Sequence, residues 1–386
     1  MNAPSAQTVD VRPAHPEGLV VAAPLNMSGN LPPKAPHVFD EACRSAIARV
    51  LAEHSPNDLF GAHQFKGSER DRAAGAAFVA RRLPVAPEAD RVVVANGTQS
   101  LLVMLLAGLV GQGGTLAIEA LTYPTIGRLA ETLGIGLAAV PIDAEGVIPD
   151  AFEGVCRSRR PAALYVMPSL HNPTTAIMGP GRRAEVAEIC RRYGVAIIED
   201  DIYSLLPQNL PPPLSTYAPE ISWYVLGTAK AMVAALKVAY VVAPSAMAAA
   251  DLFWPGGRET FWMCAPINAA VASILIEEGA VGRILDAVRA ETRERQRRVA
   301  ERLAGADLRT MPECLHVWLT LPEDRSRTDF VAAVAARGVT ISPSDIYALS
   351  DAPRPNAVRF GTGAPRDRAS FERGLEAIAH AYETGE

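Results

Sequence analysis

"WYVLGTAKAMVAALKVAYVV", residues 223–242, contains two apolar runs and two lysines. The runs 223–227 and 238–242 are apolar without alternation, which is typical of strands covered on both faces. Too few residues separate Lys230 from the second run for a crossover helix, so the two strands are predicted to form an antiparallel hairpin. Burying an amine costs its hydration, so Lys230 needs a specific explanation in this setting.

Similar apolar runs lie upstream and alternate with helical patterns. The strand-like runs are RVVVA (91–95), TLAIE (115–119), LAAVP (137–141), ALYVM (163–167) and VAIIE (195–199). The helical stretches between them are 98–110, 124–133, 149–157 and 180–193. This alternation predicts an α/β fold, a three-layer α/β/α sandwich with a mixed, mostly parallel seven-stranded sheet.

The remainder of the chain predicts a smaller α+β domain at the C-terminal end. A long helical pattern follows residue 265, and then come LHVWLTLP, GVTISP and AVRFGTG, which suggest a small sheet closed by a helix at 367–382. We therefore expect an N-terminal arm at 1–25, a segment at 26–54 packing with the small domain, a large domain at 55–265 and a small domain at 266–386.

Composition restricts the class of protein. The net charge of −5 gives no global attraction for nucleic acid or an acidic membrane. Five cysteines lie far apart and seven histidines lack paired spacing, which predicts no metal site and favours the reduced thiols of a cytoplasm. The start shows no signal peptide, and the longest apolar run, 101–111, is too short to span a bilayer. We expect a soluble cytoplasmic protein that binds no membrane.

Residues suited to binding a phosphate and a planar ring follow the predicted strands. In open α/β sheets, ligands bind beyond the carboxyl ends of the strands. NGTQS (96–100) opens a helix, where backbone N–H groups form a natural phosphate seat. Tyr123 and Asn172 follow later strands. Taken singly, these features have ordinary interpretations: a glycine turn, a packing tyrosine and a turn asparagine.

The acidic pair Asp200–Asp201 and the lysine Lys230 follow the next two strands. Carboxylates at the end of a buried run need a cation or strong donors, although Asp201 alone could be a helix N-cap. A lysine in partly apolar surroundings has a lowered pKa, which frees its amine as a nucleophile or base, although a surface lysine is the alternative. All these groups share one rim. Together they predict a pyridoxal phosphate site with a Schiff base on Lys230.

The sequence resembles the fold type I (aspartate aminotransferase-like) superfamily of pyridoxal-phosphate-dependent enzymes. Within it, the match is closest to the aminotransferase-like domain of MocR-type proteins, and it covers about residues 22 to 383. The matching stretches are LNMSGNLPP (25–33), GSERDRAAGAAFVARR (67–82), LTYPTIGRLAETLG (121–134), LYVMPSLHNPTT (164–175), AIIEDDIYSLL (196–206), WYVLGTAK (223–230) and AVRFGTG (357–363).

The resemblance implies a role for each matching residue. Lys230 would carry the cofactor and move the substrate's proton, and Asp200 would pair with the pyridinium nitrogen. Tyr203 and Asn172 would hydrogen-bond the ring's 3-oxygen, and Arg359 would bind the substrate's α-carboxylate, for which its bidentate fork is suited. The further contacts implied are Gly97, Thr98 and Gln99 around the phosphate, Tyr123 and Ile202 on the two ring faces, and Gly29 and Asn172 at the substrate.

Three positions depart from the family pattern, and all concern the phosphate. Gly227 stands where the family has Ser or Thr three residues before the lysine, and Lys237 stands where it has Arg seven residues after. Ala62 replaces a tyrosine that reaches the phosphate from the partner subunit. Lys237 is then expected to contact the phosphate, and the cofactor to be held less firmly than is usual in the family.

The resemblance implies an aminotransferase that moves an amino group from an α-amino acid to a 2-oxo acid. Another reaction at Cα on the same cofactor, such as that of a lyase, decarboxylase, synthase or oxidase, is an alternative, as is a non-catalytic pyridoxal-phosphate-binding sensor. The family's active sites lie at a homodimer interface, so a homodimer is expected. The 25 residues of the arm are too few for the winged-helix domain of MocR-type proteins, so we expect a stand-alone enzyme that binds no nucleic acid.

Overall fold

The computed structural model describes residues 24–260, 263–349, 352 and 354–385, and for residues 255–260 it describes the backbone alone. The predicted N-terminal arm at 1–25 lies outside the described residues except for its last two positions. Among the described helices, none is long and apolar enough to cross a membrane.

The central sheet has the seven strands that the apolar runs predicted. They are β1 (Val92–Ala95), β2 (Thr115–Glu119), β3 (Gly136–Val140), β4 (Ala163–Val166), β5 (Ala196–Asp200), β6 (Ser222–Gly227) and β7 (Ala239–Val242). Their order across the sheet is β1-β7-β6-β5-β4-β2-β3. All neighbours are parallel except that β7 is antiparallel to both β1 and β6, with Ala239 opposite Ala95 and Gly227. The predicted hairpin and the mixed sheet are confirmed.

Helices follow or flank these strands. In chain order they are α1 (Pro36–Glu53), α2 (Pro56–Gly61), α3 (Glu69–Val79), α4 (Gly97–Leu109), α5 (Pro124–Thr132), α6 (Pro149–Arg159), α7 (Pro180–Tyr193), α8 (Thr228–Ala231), α9 (Ala246–Thr260), α10 (Pro266–Glu277), α11 (Ala280–Arg302), α12 (Arg327–Ala336) and α13 (Arg368–Thr384). The single long helical pattern after residue 265 is two helices, since Gly279 adopts a left-handed conformation (φ 68°) between them.

The sheet is buried on both faces, which explains its uninterrupted apolar strands. On one face Leu164 and Ile197 pack with Phe152 of α6 and Val186 of α7. On the other face, alternate residues of the same strands pack with helices α3, α4 and α10 in a larger cluster. Because strand side chains alternate between faces, both sets must be apolar in a three-layer sandwich.

A smaller antiparallel sheet forms a second core. Its strands are β8 (Asp307–Arg309), β9 (His316–Thr320), β10 (Ser342–Pro343) and β11 (Ala357–Gly361), in the order β8-β9-β11-β10. Helices α12 and α13 cover it through a cluster that includes Val317, Phe360 and Phe371. The last residues of α11 contribute to the same cluster.

The N-terminal segment crosses this small sheet on its way to α1. Residues Leu25–Asn26 pair with Val339–Thr340, and the carbonyl of Met27 accepts from Gly361 N at 2.6 Å. A Cβ on Gly361 would overlap the carbonyl oxygen of Gly29. Glycine at this end of β11 therefore allows the segment to lie close enough to reach the large sheet.

Candidate active site

The polar residues at the carboxyl ends of the central strands face residues from two other parts of the chain. Asp200 ends β5, Lys230 lies on α8 directly after β6, and Asn172 follows β4. Arg359 comes from β11 of the small sheet, and Asn30 comes from the N-terminal segment. Lys230 bonds to the carbonyl of Asn30, Arg359 bonds to the side chain of Asn172, and the charges of Asp200 and Arg359 both act on the Lys230 amine. The two cores and the segment therefore meet here.

Lys230 is held with its amine against the N-terminal segment. Thr228, at the start of α8, ties this helix to the residue directly before β7, since its N and Oγ1 donate to Val238 O at 3.0 and 2.9 Å. Lys230 Nζ donates to the carbonyl of Asn30 and lies 5.8 Å from the centroid of the Tyr203 ring. Burial, helped by the nearby Arg359 charge, lowers the pKa of Lys230 to about 8. With this pKa, about a tenth of the Lys230 amine is neutral near pH 7.

Asp200 is a buried carboxylate, and one of its oxygens has no hydrogen-bond partner among the described residues. Its Oδ2 accepts from the Tyr165 hydroxyl at 2.8 Å, while Oδ1 has no hydrogen-bond partner among the described residues. Burial, together with repulsion from Asp201, raises the pKa of Asp200 to about 6 although Tyr165 and Lys230 oppose this. A buried unpaired oxygen is costly, so the arrangement favours a ligand that brings an N–H donor.

The neighbouring carboxylate has a different environment. Asp201 Oδ2 accepts from the Tyr224 hydroxyl at 2.8 Å and pairs with Arg82 Nε at 3.3 Å. The N-cap interpretation of Asp201 is wrong, because residues 202–205 form a turn rather than the start of a helix, and the carboxylate instead contacts β6 and the connection that follows α3. Oδ1 of Asp201, like that of Asp200, has no partner among the described residues. The two carboxylates differ because Asp201 is paired with an arginine within the fold, whereas Asp200 lies close enough to Lys230 to raise the pKa of its amine.

Arg359 reaches the same place from the small sheet. Its Nη1 donates to Asn172 Oδ1 at 2.9 Å, and its Nη2 donates to the carbonyl of Ser28. The guanidinium carbon lies 5.2 Å from the centroid of the Tyr347 ring, a cation–π contact. The buried Nε has no partner within the described part of the chain. The guanidinium is thus fixed in orientation and keeps a donor for an anion.

The turn after β1 has the geometry of an anion seat. Gly97 takes a left-handed conformation (φ 80°) and begins α4, whose first-turn N–H groups have no partners inside the helix. Lys237 also has a left-handed backbone, and its Cδ would lie 3.4 Å from a Cβ placed on Gly97. The Gln99 side chain donates to the Tyr123 hydroxyl at 2.9 Å. Four of the residues predicted for the phosphate and the ring are brought together here: Gly97, Gln99, Tyr123 and Lys237.

The side chain of Thr98 fills the space beside Gly227. A Cβ on Gly227 would lie 2.9 Å from Thr98 Cγ2 and 3.5 Å from Ala239 Cβ. The hydroxyl that the family carries at this position therefore competes with the Thr98 methyl group. Sequence comparison shows the missing hydroxyl, but it does not show the neighbour that fills its place.

Three other predicted residues, Ile202, Gly29 and Ala62, have no hydrogen bond from their side chains to the residues described above. Ile202 is half-buried against the main core, and Gly29 lies across the end of β11 near Ala364. Ala62 is exposed at the C-terminal end of α2.

Two residues of the site were not foreseen. Asn30 Nδ2 donates to the Tyr203 hydroxyl at 2.8 Å and lies 3.0 Å from His316 Nδ1. His316 is completely buried at the start of β9. The signal in the sequence is a histidine inside the apolar run LHVWLTLP, a polar residue that burial obliges to find partners.

Comparison with known proteins gives a consistent family. The profile of aminotransferase class I and II matches residues 23–378. A 2-aminoadipate transaminase of Thermus thermophilus is 27% identical over 377 residues, which cover 92% of this chain and 89% of that protein. An uncharacterized HTH-type transcriptional regulator of Bacillus subtilis is 26% identical over 289 residues, 74% of this chain and only 62% of the regulator's own length.

Solved structures show the same fold. An α-aminoadipate aminotransferase from Thermus thermophilus, complexed with N-(5'-phosphopyridoxyl)-L-leucine, has a TM-score of 0.80 at 24% identity and covers 93% of this chain and 92% of its own. An archaeal alanine:glyoxylate aminotransferase has a TM-score of 0.82 at 20% identity, with 94% and 91% covered. At these identities the likeness establishes the fold type I architecture.

Proposed function

The chain belongs to the aminotransferase class I and II family, and from this we propose that it is a pyridoxal-5'-phosphate-dependent aminotransferase. It moves an amino group from an α-amino acid to a 2-oxo acid. The observation that carries the proposal is the convergence of Lys230, Asp200 and Arg359, three groups of different chemistry, at one place, here called the cleft. Lys230 and Arg359 both donate to carbonyls of the N-terminal segment, and the charges of Asp200 and Arg359 both shift the pKa of Lys230.

The residues of the cleft fit the cofactor. The unpaired Asp200 Oδ1 would accept from a protonated ring nitrogen, which removes the cost of leaving it buried alone. The start of α4 at Gly97, Thr98 and Gln99, with Lys237 beside it, would hold the phosphate. When bound, pyridoxal phosphate supplies an electron sink for the pair released at the substrate's Cα.

The chain's own groups supply orientation and proton transfer. Arg359 binds the substrate carboxylate and fixes the Cα–H bond relative to the cleft, with Asn172 and Gly29 beside it. The Lys230 amine, partly neutral near pH 7, takes the proton from Cα and returns it at the acceptor carbon. Asp200, ionised above about pH 6, keeps the ring nitrogen protonated.

The remaining contacts of the proposed site position the ring. Tyr203 and Asn172 would hydrogen-bond its 3-oxygen. Tyr123, held by the Gln99 amide, would stack on one face, and Ile202 would pack against the other. A planar group bound between two side chains keeps a fixed angle to the Lys230 amine, which efficient proton transfer requires.

A half-reaction assay tests this function. The purified protein is loaded with pyridoxal phosphate and mixed with a panel of α-amino acids that includes 2-aminoadipate. We expect 2-oxo acid release and conversion of the cofactor to its pyridoxamine form, and no conversion by Lys230→Ala. Loss of CO2 from the substrate would indicate a decarboxylase. Cofactor binding without any exchange of the Cα proton would indicate a sensor.

We also propose a homodimeric assembly, the expected domain boundaries and a reducing cytoplasmic environment. Ala62, exposed at the end of α2, is where the family contributes a residue to the partner's phosphate. All five cysteines are free, and four of them are buried. Light scattering at working concentration tests the dimer, and a fully active monomer would contradict it.

A further inference from the structure

A buried chain of polar groups runs from the loop after β4 to the hydroxyl of Tyr203. It contains the carbonyl of His171, the imidazole of His316 and the amide of Asn30. Asn30 and His316 are 286 residues apart in sequence and are both buried. Neither has a role in the proposed function, although Asn30 lies within hydrogen-bond distance of two of its residues, Tyr203 and Lys230.

The carbonyl of His171 determines where the His316 proton lies. His316 Nε2 is 3.3 Å from His171 O, and a carbonyl oxygen can only accept, so Nε2 carries the hydrogen. Burial, with the charges of Arg359 and Lys230 nearby, lowers the pKa of His316 well below its usual range. The imidazole is neutral, and its Nδ1 is therefore an acceptor.

This tautomer determines the orientation of the Asn30 amide. Only the Nδ2 side of an amide can donate to an accepting Nδ1, and Nδ2 lies 3.0 Å from it. The thiol of Cys314, 3.6 Å from the same nitrogen, is likewise a donor, because burial raises the pKa of Cys314 to about 12. Both groups around Nδ1 are thus consistent with an acceptor.

The amide in turn determines the direction of the Tyr203 proton. Asn30 Nδ2 has two hydrogens, one for His316 and one for the Tyr203 oxygen at 2.8 Å. The phenol oxygen therefore accepts from Asn30, and its own hydrogen must point elsewhere. Burial holds the phenol neutral, because it raises the pKa of Tyr203 far above its usual value. The same Asn30 accepts from Lys230 Nζ through its backbone carbonyl.

We propose that Asn30 and His316 are positioning residues that aim the Tyr203 hydroxyl hydrogen into the cleft, toward the anionic ring oxygen of the bound cofactor. This role rests on the proposed function, because the cofactor is its ligand. The directions of the hydrogen bonds from His171 to Tyr203 do not depend on that function. A donor fixed in direction before the ligand arrives loses no orientational freedom on binding.

The first experiment reads the donor order without cofactor or activity. The chain is labelled with 15N-histidine, and the side-chain signals of His316 are assigned by their loss in His316→Gln. We expect a protonated Nε2 and an unprotonated Nδ1 that do not titrate between pH 6 and 9. A protonated Nδ1, or an imidazolium in that range, would overturn the proposal whether or not the protein is an aminotransferase.

The second experiment uses Asn30→Asp, whose carboxylate has no hydrogens and accepts the Tyr203 proton. A donor to the ring oxygen keeps that oxygen ionised, so diverting the donor raises the pH midpoint of the cofactor's visible absorbance change. We expect a rise of about one pH unit or more, the size typical of a hydrogen bond to a charged group. Asn26→Asp is the matched control, because it adds the same charge to the same segment and retains the acceptor for Ser28 and Gly29 N.

A double-mutant cycle separates proton direction from charge. In a Tyr203→Phe background no phenol proton remains, so Asn30→Asp can shift the midpoint only through its charge. We expect the shift in this background to be smaller by about one pH unit than with Tyr203 present. Equal shifts in the two backgrounds would refute the positioning role, while absence of any cofactor absorbance would refute the proposed function instead.

Discussion

Replacement of Gly227 by serine tests how the phosphate seat is packed. Restoring the family's hydroxyl is expected from the sequence alone to tighten cofactor binding. The geometry predicts a different result, because a Cβ at Gly227 lies 2.9 Å from Thr98 Cγ2. The backbone of Gly227 is extended (φ −119°, ψ 159°), so the substitution costs no backbone strain and its effect is steric.

The magnitude follows from overpacking. Forcing a new carbon against a β-branched side chain in a packed region typically costs about 1–3 kcal/mol. For a chain of this length an unfolding entropy of about 2 cal/mol/K per residue converts this into a melting temperature lower by about 1–4 °C. Thr98→Ser removes the opposing methyl group and keeps the hydroxyl, so the double variant Thr98→Ser/Gly227→Ser should recover most of the loss.

Differential scanning calorimetry and cofactor release measure the two consequences. We expect Gly227→Ser alone to melt lower and to release pyridoxal phosphate no more slowly than wild type, and the double variant to release it more slowly. Gly154→Ser in α6 is the matched control, since a Cβ there meets no atom within 4 Å. If Gly227→Ser is as stable as wild type and Thr98→Ser provides no relief, the packing argument is wrong.

Three further predictions concern charge in the cleft. The rate at which pyridoxal phosphate attaches to apo protein should rise with pH through about 8, because only the neutral Lys230 amine attacks. Asp200→Asn should lower the pH midpoint of this rate, because the Asp200 charge raises the pKa of Lys230, and Arg359→Gln should raise the midpoint, because the Arg359 charge lowers that pKa. Stopped-flow absorbance measures the midpoint in wild type and in both variants. A midpoint unchanged in both variants would contradict the assignment. Arg359→Lys should raise KM for α-amino acids about tenfold or more and leave amines without a carboxylate almost unaffected, as steady-state kinetics on both substrate types would show. Lys237→Arg should slow cofactor release into an excess of apo trap protein by about tenfold, because a fork replaces a point charge on the phosphate, and an equal release rate would mean that Lys237 does not reach it.

The large sheet was predictable because its signals are local. Strands covered on both faces must be apolar throughout, and the apolar runs coincide with β1–β7 to within a residue or two. The short link after Lys230 excluded a crossover and gave the antiparallel β7. The rim was predictable for a related reason, since the carboxyl ends of parallel strands meet at one edge.

The contacts that complete the site were not predictable, because they depend on how the two cores meet. The bond between Asn30 and His316 joins residues 286 apart, and nothing in either local pattern points to the other. The contact between Gly227 and Thr98 likewise depends on the register that places β7 between β6 and β1. A single sequence shows the departure at Gly227 without the neighbour that fills the space.

The adjacent carboxylates illustrate the limit most directly. From the residues alone either member of the pair could face the cleft, and only the resemblance favoured Asp200. Asp201 Oδ2 accepts from the Tyr224 hydroxyl on β6 and pairs with Arg82 in the connection after α3. Asp200 Oδ2 accepts from the Tyr165 hydroxyl, burial raises the pKa of this carboxyl, and its charge in turn raises the pKa of Lys230. Because Oδ1 is unpaired in both carboxylates among the described residues, the unpaired oxygen alone does not separate them. The Arg82 ion pair of Asp201 and the proximity of Asp200 to Lys230 do, and they favour Asp200 as the partner of a ligand's N–H.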